Sequence, residues 1–115
     1  DEIYVSYMLE SDYTDEDMTS YYMDDISYYQ ENEDYTDVTV QEKQTVNVAG
    51  RDVSYIKVSY TFDEDGHYVE YYAWTQLADG NMVDCNVEEC AYGQEPALLT
   101  DDMIVLETMF SVISE

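Results

Sequence analysis

The sequence predicts a single α+β domain: an antiparallel meander sheet, preceded by an N-terminal strand and helix, with a C-terminal helix packed on the sheet. Three observations carry this. Apolar residues in the middle of the chain recur at every second position between turn signals. Helical spacing appears twice, once towards each end. The 115 residues, 45% of them apolar, are enough for one core over residues 1–115 and too few for two.

Taken in order, residues 2–9 alternate, with Ile3, Val5, Tyr7 and Leu9 on one side, and read as a strand. Thr14 is placed to cap a helix, and Asp15, Glu16 and Asp17 complement the positive end of its dipole. Met18, Tyr22, Ile26 and Tyr29 follow at helical spacing, and the acids after Gln30 end the helix. Beyond Tyr35 the period becomes two, with Val38, Val40, Val46 and Val48 expected on one face of a long, bulged strand. Ala49-Gly50 turns the chain into a strand over 53–62.

Asp65-Gly66 is a two-residue hairpin signal. That loop would pair Phe62 with Val69, Tyr60 with Tyr71 and Val58 with Ala73, all apolar couples. A turn at Asp79-Gly80 leads into a strand over 82–87, with Cys85 expected beside Thr75. Residues 88–97 read as a loop. Thr100 would then cap a helix whose Met103–Ile113 stretch is apolar on most sides and would form the main lid of the core.

The layout strand, helix, four meandering strands, helix is similar to the PsbP-like fold. The residues that carry the resemblance are Val46-Asn47-Val48-Ala49-Gly50 leading into Val53-Ser54-Tyr55, and Thr100 to Ile113. It spans most of the chain as an order of elements and implies an extracytoplasmic, lipoprotein-type bacterial domain. A cystatin-like layout, one helix against a meander, is the competing resemblance. Neither brings functional residues to particular positions here.

Charge bounds the function. Twenty-eight acids face three bases, Lys43, Arg51 and Lys57, for a net charge of −25. Phosphate recognition needs Lys and Arg, so nucleic acid is excluded as a partner, as is direct binding to an anionic membrane. Neutral or cationic ligands, protein partners and metal ions stay open. The chain begins at Asp1 without a signal peptide and is read as a mature or trimmed piece. Extreme acidity with few lysines also suits halophilic cytoplasmic proteins, but the tyrosine and methionine content favours the surface of a gut-type bacterium.

Four groups of residues are candidates for chemistry. Cys85 and Cys90, four residues between them, suit either a disulfide across a turn or two buried thiols. His67, the sole histidine, falls beside a turn, well along the sheet from Cys85, and is expected to be non-catalytic. Asp63 and Asp65 flank Glu64 in a cluster that could attract calcium, although Thr61 and Tyr72 stand where an EF-hand needs acids. Tyr55, Lys57, Tyr68, Tyr72 and Trp74 are expected to share the face opposite Ile56 and Val58. They would form either an aromatic binding platform or a layer covered by the first helix. The expected function is a non-catalytic accessory or ligand-binding domain. A calcium-stabilised structural module and, further off, a small enzyme are the alternatives.

Overall fold

The computed structural model of the chain describes residues 2–92 and 101–113. The elements are β1 (Glu2–Glu10), α1 (Asp15–Glu31), β2 (Tyr35–Val48), β3 (Arg51–Phe62), β4 (Gly66–Gln76), β5 (Met82–Tyr92) and α2 (Asp102–Phe110). Five antiparallel strands form one sheet in the order β1-β5-β4-β3-β2. The N-terminal strand therefore closes one edge beside β5, and α1 connects the two outer strands.

Period-two alternation splits the sheet's side chains between two apolar layers. Even-numbered residues of β3 and β4, including Ile56, Val58, Tyr60, Tyr72 and Trp74, pack with Met18, Tyr22 and Ile26 of α1. Odd-numbered ones, including Val53, Tyr55, Val69, Tyr71 and Ala73, pack with Val105, Leu106 and Phe110 of α2. Both helices start at a capping side chain. Thr14 and Asp17 form a reciprocal capping box on α1. Asp101, not Thr100, caps α2 by accepting from the Ile104 amide; Thr100 itself lies outside the described residues. The lid formed by α2 is narrower than its composition suggests, because Ile104 and Val112 face outward.

The register differs from the expectation at three places. Phe62 pairs with Gly66 and Tyr60 with Tyr68, so the loop is Asp63-Glu64-Asp65, with Asp63 and Glu64 at positive φ. Gly66 is needed for space: a Cβ there would sit 3.0 Å from the Phe62 carbonyl oxygen and 3.2 Å from the Tyr68 ring. The shift is three residues, an odd number, so it exchanges the faces of β4 relative to β3. The expected row consequently breaks up: Tyr55 and Lys57 lie on the α2 side, while Tyr68, Tyr72 and Trp74 lie on the α1 side. In β2, two bulges shift the pairing between Thr36 and Thr39 and between Gln41 and Gln44. Val38 and Val40 therefore pack towards α1, and Val46 and Val48 towards α2. Cys85 pairs with Ala73 instead of Thr75, and β5 continues to Tyr92, so residues 88–92 are strand. The rest of the expected loop, 93–97, lies outside the described residues.

The first residue of each helix is an aspartate that ties the helix to the sheet. Asp15 accepts from Trp74 Nε1 at 2.7 Å and Ser54 Oγ at 3.2 Å, and pairs with Lys43. Asp102 accepts from Tyr71 at 2.8 Å, Tyr55 at 2.9 Å and Lys57 at 3.1 Å. Burial is the largest influence on each and pushes it up. The bonds from Lys43, Trp74 and Ser54, and from Tyr71, Lys57 and Tyr55, outweigh it and hold both carboxyls below their usual range.

Both lysines are committed to these aspartates, and three bases cannot offset 28 acids. Self-repulsion should weaken the fold at low ionic strength. The melting temperature is expected to climb as NaCl is raised to about 0.5 M, where screening acts within a few ångströms. A flat or falling melt would contradict this.

Candidate functional site

Glu70 lies at the centre of β4 on the face covered by α1 and is only 3% exposed. A carboxylate taken out of water needs donors. Three tyrosines from three elements supply them. Tyr60 Oη donates to Oε1 at 2.6 Å, Tyr29 Oη to Oε1 at 3.0 Å, and Tyr72 Oη to Oε2. Burial is the main cause of raised pKa values in all three phenols; Tyr29 reaches about 12. They stay protonated and act as donors. The rings of Tyr29 and Tyr60 stack with that of Tyr68, Tyr29 4.4 Å from Tyr60 and Tyr60 5.1 Å from Tyr68 between centroids, while Tyr72 packs on Tyr22 at 4.8 Å.

These hydroxyls give Glu70 hydrogen-bond donors but bring no positive charge to it. In the β4–β5 register Glu70 stands directly opposite Glu88 on the same face. Like charges in that position repel. Burial, and then the charge of Glu70, push the Glu88 carboxyl above its usual range. Asp84, four residues away along β5, is buried and accepts from Tyr22; burial pushes its pKa up as well.

These groups border a cleft of about 310 Å³ between α1 and strands β1, β4 and β5. Tyr21, Tyr22, Tyr29 and Tyr72 line it together with Asp25, Glu70, Asp84 and Glu88, and Ser6 and Met8 form its β1 side. A second hollow of about 220 Å³ shares Tyr29, Glu70 and Glu88 and adds Tyr35, Tyr60, Phe62 and Tyr68. Among the described residues, no Lys, Arg or His lines either one. The cavity at the start of α1, about 290 Å³ with Asp15, Ser54 and Trp74 in its wall, differs in kind: its aspartate already holds Lys43.

The predicted site residues are thus distributed between different environments. Trp74 is 1% exposed, stacked under Tyr22 at 5.6 Å, and is part of the covered layer, not an open platform. Tyr72 and Tyr68 line the two hollows, whereas Tyr55 is on the opposite side of the sheet with its hydroxyl on Asp102. Glu70, Glu88, Asp84 and Tyr29 were not singled out from sequence. The available signal was an excess of tyrosine hydroxyls, 14 in all, which implies buried acceptors.

Cys85 and Cys90 are both buried free thiols. Five positions apart on one continuous strand, they leave opposite faces with Cα atoms roughly 17 Å apart, far beyond disulfide reach. Burial pushes the Cys85 thiol up to about 11, so it stays protonated. His67 is half-buried on β4 with Nδ1 3.3 Å from Thr61 Oγ1, six rows along the sheet from Cys85. Asp63 and Asp65 sit on the exposed β3–β4 loop. Among the described residues, no three His, Cys, Asp or Glu side chains are grouped to hold a metal ion.

No family model and no curated protein matches this sequence.

Proposed function

We propose that this chain is a non-catalytic ligand-binding domain of an extracytoplasmic bacterial surface protein, and that its ligand is a small organic cation bound in the cleft under α1. The observation that supports this reading is the cross-strand pair of buried Glu70 and half-buried Glu88, which line one cleft with Asp84 and, among the described residues, no base. Such a pair costs the empty protein stability, and a cation relieves the repulsion that creates the cost. The tyrosine lining suits a diffuse organic charge, because aromatic rings attract ammonium groups through their quadrupoles and an aromatic wall tolerates alkyl substituents. The volume is at the lower end of the range for small-molecule sites, so the ligand is compact. A hard metal ion fits less well, since it requires oxygen ligands converging on one point. The extracytoplasmic assignment rests on composition and on the PsbP-like order of elements.

Calorimetric titration with choline and with its uncharged carbon isostere, 3,3-dimethylbutan-1-ol, tests the reading. The cation is expected to bind and the isostere to bind at least about tenfold more weakly, the difference one desolvated ion–carboxylate contact supplies. Glu88→Gln is expected to weaken choline binding while raising the melting temperature of the empty domain. Equal binding of both compounds, or a Glu88→Gln domain less stable than the parent, would contradict a strained anionic pair.

A further inference from the structure

The two edges of the sheet differ in a way that the cleft does not explain. A free strand edge exposes unpaired amides and carbonyls, and proteins usually protect it with bulges, charges or proline. The β2 edge has such protection: two bulges, a positive φ at Asp37, and Glu42 and Lys43 in the second bulge. Among the described residues, the β1 edge has none. Its nine residues pair with β5 without a register break. From Ile3 to Leu9 it carries no charge, in a chain that is 27% charged. Ile3, Tyr4, Val5, Tyr7, Met8 and Leu9 are each 44–62% exposed.

We infer that β1 is the pairing edge for a second copy of this chain, aligned antiparallel about a two-fold axis through Ser6. The sequence of the strand is self-complementary about that point. Ile3 meets Leu9 of the second copy and Val5 meets its Tyr7 on the α2 side. On the α1 side Tyr4 meets Met8, and Ser6 meets Ser6. Every pair shares a face, as a two-fold normal to the sheet requires. Only Glu2 opposite Glu10, at the two ends, sets like charges together. Side chains of this size at half exposure leave roughly 100 Å² each. Two copies have on the order of 1,200 Å² of such surface to cover at most, which places the pair among weak, reversible interfaces. The resulting ten-stranded sheet has only protected β2 edges.

The test is sedimentation of the 115-residue chain over a range of concentrations and salt. A monomer–dimer equilibrium is expected, with dimer favoured by salt because each copy carries −25. Val5→Lys should raise the dimer dissociation constant at least about tenfold, although it lowers the net charge that opposes association. Ser6→Cys places two thiols opposite each other on the axis, roughly 5 Å apart between Cα atoms, and should form a covalent dimer on mild oxidation. Ser11→Cys, beyond the strand, should not. The natural cysteines are buried and do not interfere. A monomer at every concentration, a dimer indifferent to Val5→Lys, or a Ser6→Cys chain that fails to cross-link while folded by circular dichroism would overturn the inference.

Discussion

Trp74→Ala is expected to destabilise the domain by roughly 3–5 kcal/mol, the usual cost of truncating a buried large aromatic. The ring lies between α1 and the sheet, stacked on Tyr22, with the Lys43 ammonium 5.9 Å from its centroid. Its indole N–H is also one of the donors that hold Asp15 at the start of α1. Removing it opens a cavity and withdraws a hydrogen bond from a carboxylate that anchors the helix. Trp74→Phe retains most of the packing and should cost clearly less. Urea denaturation measures both, and the sole tryptophan supplies the signal in the parent: a blue-shifted emission poorly quenched by acrylamide. Red-shifted, readily quenched emission together with a loss below about 1 kcal/mol would mean that α1 does not cover this face.

The second large effect is with pH. Asp84 and Glu88 have raised folded-state pKa values, so the folded domain binds their protons more readily than the unfolded chain does. Stability therefore rises as pH falls from neutrality through those values. Asp15 and Asp102 are lowered, so their contributions are present above the ordinary carboxylate range and disappear as pH falls through their folded values. Protonation of surface acids adds to the first trend by reducing the charge of −25. The melting temperature should reach its maximum near pH 5 and fall steeply below about pH 3.5, the lower part of the carboxylate range. Asp102→Asn should flatten the acid limb, and Glu88→Gln the rise between neutrality and the maximum. A maximum at pH 7 or above would contradict the account of the cleft carboxylates.

Local signals were legible in the sequence where one element decides them. Thr14 and the Met18, Tyr22, Ile26 spacing defined α1 almost to the residue, since a cap and an apolar face are properties of consecutive positions. Ala49-Gly50 formed the expected hairpin, with both residues at positive φ. Register was harder. Asp65-Gly66 has the composition of a two-residue turn, but the loop starts at Asp63, and Gly66 serves close packing under Tyr68 instead of a turn angle. That three-residue difference transferred Tyr55 and Lys57 to the other face and concealed the cleft. A single glutamate on a tyrosine-rich strand looks like a solvated residue until the pairing places Tyr29, Tyr60 and Tyr72 around it and Glu88 opposite. The cysteines were undecided for the same reason: only the continuation of β5 through residue 90 shows that no turn brings them together.

The most direct test of the proposed function is the proton count of cation binding. A cation that enters beside Glu88 favours the ionised form of a carboxyl whose pKa is raised and so displaces protons from it, and calorimetry in buffers of different ionisation enthalpy measures the number released. Choline binding should release more protons near pH 5 than at pH 7.5, because a raised carboxyl holds its proton more in the acid range. In Glu88→Gln the release at pH 5 should be smaller. Binding with no proton release at either pH, or no binding at all, would contradict the assignment of the cleft as a cation site.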